Sequence, residues 1–222
     1  PEAPYELVER MRASIVVLGP LLARFGEARV SVPGGDDFGH RPIDMHLRGL
    51  EEMGVSFQTS HGYIEGRTEG LSGSRVLLEF PSVGATENLL MAAVLAKGTT
   101  IIDNAAREPE IVDLADFLNA MGATIRDAGM SCITVHGVER LNPTTHVVIP
   151  DRIEAATYLA ALGVSGGEIT ISGARVDHME MLVEKLTEMG MEITSTTDGL
   201  LASSKSRLKS VDLSTLPYPG LA

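Results

Sequence analysis

Leu50-Glu51-Glu52-Met53-Gly54 returns in kind as Leu118-Asn119-Ala120-Met121-Gly122 and again as Leu186-Thr187-Glu188-Met189-Gly190. The three glycines stand 68 residues apart, from Gly54 to Gly122 and from Gly122 to Gly190. Glycine just past an apolar stripe is a helix stop, because it takes the left-handed conformation without the steric cost other residues meet. Self-similarity at a fixed period predicts a chain built from one repeated unit.

The residues before each stop agree. Ile111, Leu114, Ala115, Leu118 and Met121 recur at i, i+3, i+4, i+7 and i+10, as do Met179, Leu182, Val183, Leu186 and Met189. Each set is one face of an amphipathic helix. The first copy reads Ile43, His46, Leu47, Leu50 and Met53, so histidine stands where both sister copies carry leucine. Upstream, a second helix pattern closes at Gly26, Gly98 and Gly166, with residues 87–97 expected to be helical in the middle copy, and β-branched runs follow at 28–32, 99–103 and 168–172. Downstream come paired strand signals, such as 55–58 with 63–65 and 123–126 with 132–136. A further run at 75–79, 146–149 or 208–212 leads out of each copy. The unit is βαβαββ and the fold class is mixed α/β.

One place breaks the register. Between the two glycine stops the first copy has 28 residues and the others 24. The four extra residues fall in Pro33-Gly34-Gly35-Asp36-Asp37-Phe38-Gly39-His40-Arg41-Pro42, whose glycines and prolines predict a loop. Surface loops accept insertions at small entropic cost. An insertion that holds two acids beside an off-pattern histidine is nevertheless a candidate site.

Composition narrows the function classes. A formal net charge of -12 argues against nucleic-acid or anionic-membrane partners, so arginines must hold any anionic ligand. No apolar run reaches the roughly 18 to 20 residues that span a bilayer, and the first residues lack the pattern of a secretion signal, so a cytoplasmic location is expected. The single cysteine, Cys132, excludes an internal disulfide or a cysteine-based zinc site, and its apolar run predicts a buried, inert thiol. No phosphate-binding GxxxxGK[ST] loop, GxSxG elbow, HExxH helix or EF-hand loop occurs, and no cofactor or metal is expected.

The candidates each have two readings. Asp36 and Asp37 are turn-stabilising acids or chemical groups. Arg12 and Arg41 are surface cations or clamps for phosphate or carboxylate. His46 is a core histidine or a ligand contact. Pro81-Ser82-Val83-Gly84-Ala85-Thr86 is an ordinary helix cap or a phosphate-binding helix start. Arg107-Glu108-Pro109-Glu110 and Asp151-Arg152 read as helix starts.

Taken in order, Met11-Arg12-Ala13-Ser14, Leu18-Gly19-Pro20-Leu21, the loop from Pro33 to His46, Ser82-Val83-Gly84-Ala85-Thr86, Asn104 to Glu110 and Asp151-Arg152-Ile153-Glu154 resemble the UDP-N-acetylglucosamine 1-carboxyvinyltransferases, or enolpyruvyl transferases. The resemblance covers essentially the whole chain. It implies an inside-out α/β barrel: two domains, each of three βαβαββ units about a pseudo-threefold axis, in proteins about twice this length. Residues 1–149 would be two of the three units of the lid-bearing domain, and 150–222 the first unit of the other, so that the remainder of the two-domain enzyme is missing and the piece is expected to be inactive alone. The implied reaction moves the enolpyruvyl group of phosphoenolpyruvate to the 3-hydroxyl of UDP-N-acetylglucosamine by addition and then elimination of phosphate, the first committed step of peptidoglycan biosynthesis.

By the same resemblance the inserted loop is a lid, and Asp36 stands where most members have a catalytic cysteine. Arg41 would contact phosphoenolpyruvate. Arg12, the segment Arg41, Pro42, Ile43, Asp44 and Met45, and Ser82, Val83 and Gly84 would line the UDP-sugar site, with His46 beside it. The family's N-terminal Lys-Asn pair, its aspartate base and its later arginines have no counterpart here. A general acid at Asp36 needs its carboxyl raised from about 3.9 by burial or nearby negative charge. Aspartate there also implies insensitivity to fosfomycin, which alkylates the cysteine. The alternatives are a shikimate-pathway enolpyruvyl transferase, which should lack this lid motif, and a non-catalytic binding or scaffold module.

Overall fold

The computed structural model describes residues 1–8, 11–32 and 42–221, with Arg12 described by its backbone. The chain divides into two compact units, Pro1–His146 and Val147–Ala222. Each has its own apolar core.

The first unit contains two copies of the repeat. The first runs through β1 (Glu2–Ala3), the single turn α1 (Tyr5–Val8), a 3₁₀ segment Arg12–Val17, α2 (Leu18–Phe25), β2 (Glu27–Ser31), α3 (Asp44–Glu52), β3 (Ser56–Ser60) and β4 (Tyr63–Arg67). The second comprises β5 (Arg75–Leu77), α4 (Val83–Ala93), β6 (Thr99–Asp103), α5 (Pro109–Ala120), β7 (Thr124–Arg126) and β8 (Cys132–His136). Their sheets have the same order, β1-β2-β4-β3 and β5-β6-β8-β7. In both, the first pair is parallel and the other two antiparallel. The second unit holds α6 (Arg152–Ser165), β9 (Gly167–Ser172), α7 (Glu180–Glu188), β10 (Glu192–Thr196) and β11 (Gly199–Ser204), with sheet order β10-β11-β9.

Gly54, Gly122 and Gly190 take φ of 98°, 100° and 107°, the left-handed stops that the period predicts. The stripes face inward: Leu50, Met53, Ile111, Ala115, Leu118 and Leu186 are all buried. At the centre of the first unit lies α4, buried on several sides through Ala85, Thr86, Asn88, Leu89, Leu90, Ala92 and Ala93. A helix apolar nearly all round is the signature of a core element. Burying Leu89 and Leu90 contributes about 1.5 to 3 kcal/mol each.

Three expectations are corrected. The middle helix begins at Val83 rather than 87, because Ser82 caps it with its own side chain, and it ends at Ala93 rather than 97. Of the lead-out runs, Arg75–Leu77 pairs with β6, but 146–149 and 208–212 form no strand. His146, at the start of the second run, is tied to Asp113 of α5 at 2.9 Å, and the third run is held by a backbone bond from the Lys209 N–H to the Met189 carbonyl at 2.9 Å. Cys132 is exposed. Strand side chains alternate, and with Ile133 and Val135 fully buried, Cys132 must face the other way.

Candidate functional site

The start of α4 is built to leave donors open. The Ser82 side chain accepts from the Ala85 N–H, and the Thr86 N–H donates to the Ser82 carbonyl. The N–H groups of Val83 and Gly84 have no intrahelical acceptor, because the first turn of a helix has nothing above it to bond to. Thr86 locks this turn in place. Its hydroxyl donates to the Ser82 carbonyl at 2.8 Å and accepts from the Ala106 N–H at 3.0 Å, which docks the β6–α5 loop against the helix start.

His46, on the first turns of α3, is buried and meets α4 at two points. Its Nδ1 lies 3.0 Å from Asn88 Nδ2. Its Cε1–Nε2 edge faces Gly84: a β-carbon there would come within 3.3 Å of Cε1 and 3.5 Å of Nε2. Asn88 in turn receives the Gly19 N–H at 2.6 Å and donates to the Ile15 carbonyl at 3.1 Å. The amide therefore joins the 3₁₀ segment, α2 and α3 to α4.

These bonds bring four helix starts together. Gly19 opens α2, His46 sits near the start of α3, Ser82–Gly84 open α4, and Ala106–Glu108 lead into α5. Helix N-termini carry partial positive charge, so their convergence makes an anion-attracting locus in a chain whose net charge is -12. Asp44 and Glu110 lie in the first turns of α3 and α5, Glu108 precedes α5 as its N-cap, and Glu87 follows the first turn of α4. Burial, then the neighbouring charges of Glu110 and Glu108, push the Glu87 carboxyl above the ordinary glutamate range. Asp44 Oδ1 and Glu108 Oε2 are buried without a hydrogen-bond partner. A surface hollow of about 590 Å³ lined by Phe25, Gly26, Glu27, Gly54 and Arg67 lies instead where α2 and α3 end, among the negative ends of the helices. Its size does not make it the better anion site.

Of the residues singled out in the sequence, Ile43, Asp44, Met45 and His46 form the start of α3 and Ser82, Val83 and Gly84 the start of α4. The structure brings His46 so near Gly84 that a β-carbon added at position 84 would touch the imidazole ring. Pro42 is exposed just ahead of α3, and Arg12 opens the 3₁₀ segment. Asp36, Asp37 and Arg41 lie outside the described residues. Asn88, Thr86 and Gly19 were missed as organisers of the site. A polar Asn88 inside an apolar helix pattern was the available signal, since buried polar groups need partners. Among the described residues no group of three or more His, Cys, Asp or Glu side chains is arranged to hold a metal ion, and no helix is long and apolar enough to cross a membrane.

The sequence matches the family model for EPSP synthase (3-phosphoshikimate 1-carboxyvinyltransferase) over residues 1–222. The chain belongs to this carboxyvinyltransferase family. Within the family it is 52% identical over 219 residues to UDP-N-acetylglucosamine 1-carboxyvinyltransferase 1 of Caldanaerobacter subterraneus subsp. tengcongensis, covering 99% of this chain and 53% of that protein. It is 54% identical over 221 residues to the UDP-N-acetylglucosamine 1-carboxyvinyltransferase of Desulfovibrio desulfuricans, with the same coverage of both chains. The chain thus spans about half the length of these carboxyvinyltransferases. The fold is also that of the enolpyruvyl transferase NikO from Streptomyces tendae, with a TM-score of 0.83 at 23% identity over 100% of this chain and 53% of that one. The EPSP synthase from Acinetobacter baumannii aligns with a TM-score of 0.63 at 20% identity, over 90% of this chain and 47% of the other.

Proposed function

We propose that this chain is the portion of a UDP-N-acetylglucosamine enolpyruvyl transferase that holds the nucleotide sugar and carries the lid. The observation behind the proposal is the gathering of helix starts around His46 and Gly84, where the first-turn N–H groups of Val83 and Gly84 have no intrahelical acceptor. Such a locus suits the diphosphate of a UDP-sugar, whose charge the helix dipoles favour and whose oxygens accept backbone donors. The names of the relatives at 52% and 54% identity agree with this reading, and the more distant shikimate-pathway enzyme has less in its favour.

In this reading Arg12, Pro42, Ile43, Asp44 and Met45 line the sugar-nucleotide side together with Ser82, Val83 and Gly84, and Arg41 clamps phosphoenolpyruvate. Asp36 delivers a proton to the methylene carbon as the 3-hydroxyl, giving up its own proton to a base, adds to the neighbouring carbon; loss of a proton from the resulting methyl group with expulsion of phosphate then re-forms the double bond and leaves the enol ether. Residues 1–149 belong to the lid-bearing domain and 150–222 begin the other, and the remainder of the two-domain enzyme supplies the groups this chain lacks. The reaction serves peptidoglycan synthesis, and with it cell shape and division, in the cytoplasm.

Isothermal calorimetry with UDP-N-acetylglucosamine, paired with a phosphate-release assay in the presence of phosphoenolpyruvate, tests this. Binding without turnover is expected. Binding of shikimate 3-phosphate in its place would favour the shikimate-pathway alternative, and binding of neither would leave a scaffold module.

A further inference from the structure

The chain that leads out of the first unit is held by a side chain rather than by its backbone. The Asn142 N–H donates to the Met121 carbonyl at 2.7 Å, and the next backbone tie is at Asp151, whose carbonyl accepts from the Ala155 N–H as α6 begins. Among the described residues, 143–150 make no backbone hydrogen bond. A stretch of that length without backbone partners belongs to the least stable part of a fold unless something else anchors it.

His146 is that anchor. Its Nε2 lies 2.9 Å from Asp113 Oδ1, and an ionised carboxylate can only accept, so the ring nitrogen is the donor. Its ring also lies 5.2 Å from the Phe117 ring, tilted by 39°. Asp113 and Phe117 stand four residues apart on α5 and so share one face of that helix. The side chains of His146 and Asp113 are only 20% and 13% exposed, which shields their bond from water. Val147 and Val148 are 86% and 73% exposed, so the chain leaves cover directly after His146, where the first unit ends.

We infer that His146 is a positioning residue, a clasp on α5 that shortens the free connector between the two units from residues 143–150 to residues 147–150. What is left is narrow in its conformational choices, because Val147, Val148 and Ile149 are β-branched and Ile149 precedes a proline. Hinges are the few residues whose dihedral angles can change, so any motion between the units is taken up in these four. The clasp closes on a helix whose lead-in is itself bonded to the start of α4, through the Ala106 N–H and the Thr86 hydroxyl. The connector is thereby tied to the framework of the candidate site, and this holds whatever ligand that site takes.

Limited proteolysis of the 222-residue chain with thermolysin, which cuts before large apolar residues, tests the clasp. Asp113→Ala removes the acceptor and leaves the sequence at the cutting sites unchanged. Cleavage before Val147, Val148 and Ile149 is expected to be about tenfold faster than in the native chain, with the other sites unaffected. The double variant with His146→Ala should be no faster than Asp113→Ala alone, since both remove one interaction. An unchanged rate at these three bonds overturns the inference. So does an equal acceleration at every site, which would make the pair an ordinary stability contact. Amide ¹⁵N relaxation of the native chain decides the matter even if the variants do not fold: Thr145 and His146 are expected to be as ordered as α5, and mobility like that of a free chain end would overturn the clasp.

Discussion

The Gly19 N–H reaches Asn88 Oδ1 at 2.6 Å, a bond between residues 69 positions apart that holds the start of α2 against the second turn of α4. Glycine is required because a β-carbon at position 19 would overlap the Asn88 backbone carbonyl and side-chain oxygen. Gly19→Ala gains helix propensity of about 1 kcal/mol but must force the two helices apart, and we expect a net loss of about 2 kcal/mol. Urea unfolding checks this, and a variant as stable as the native chain would contradict the packing argument.

Gly84 answers to a different constraint. It does not adopt a positive φ, so alanine suits the backbone, and among the described residues the close contact its β-carbon would meet is the His46 ring. Gly84→Ala is expected to keep or slightly raise the urea midpoint while weakening UDP-N-acetylglucosamine binding about tenfold, or ~1.4 kcal/mol. Unchanged affinity in calorimetry would move the ligand away from this helix start.

Glu87 makes stability depend on pH with a definite sign. Its carboxyl is raised by burial and by Glu110 and Glu108, so the folded state holds the proton to higher pH than the unfolded chain does. Its contribution is most favourable below the ordinary glutamate value and declines as pH rises through the folded value. Glu87→Gln should therefore be the more stable protein at pH 7, with the difference closing toward pH 4. A urea series at the two pH values reads this, and a less stable glutamine variant at pH 7 would reverse the assigned sign.

Cys132 is exposed, and Asp103 is the main group that keeps its thiol protonated, first through a hydrogen bond and then, after burial, through its charge. Arg75, paired with Asp103, acts in the opposite direction. Asp103→Asn removes the larger influence and leaves the cation, so Ellman's reagent should modify Cys132 several-fold faster at pH 8 than in the native chain. An equal or slower rate would dismiss Asp103 as the controlling group.

Aspartate at position 36 makes a prediction for a full-length relative that carries the same residue. Asp36→Ala should reduce kcat by about 100-fold or more if a positioned acid is lost, and fosfomycin should leave the parent enzyme active. Full activity in the alanine variant would end the general-acid role.

Much of the fold was legible because backbone periodicity is a local property. The 68-residue spacing of Gly54, Gly122 and Gly190 and the stripes that precede them gave the repeat, and strands such as Thr99–Asp103 and Cys132–His136 have the ends their patterns predict. The start of α4 was misjudged by four residues, because capping by Ser82 outweighed the turn character of the glycine that follows it. Cys132 was misjudged because an apolar run does not reveal which alternate face of a strand is covered. The runs at 146–149 and 208–212 carry a strand-like pattern, but a pattern within one segment does not decide whether a ladder forms: residue 209 makes a single backbone bond, from the Lys209 N–H to the Met189 carbonyl, and no strand results.

Read in order, the sequence determined the four-residue insertion that interrupts the repeat, the off-pattern His46 that follows it and the family resemblance. It did not determine what His46 is packed against. That depended on Asn88, 42 residues away, and on Gly19 and Ile15, brought to the same amide by the packing of α2 and the 3₁₀ segment on α4. Periodicity is local, whereas the partners of a buried side chain exist only once distant segments have packed together.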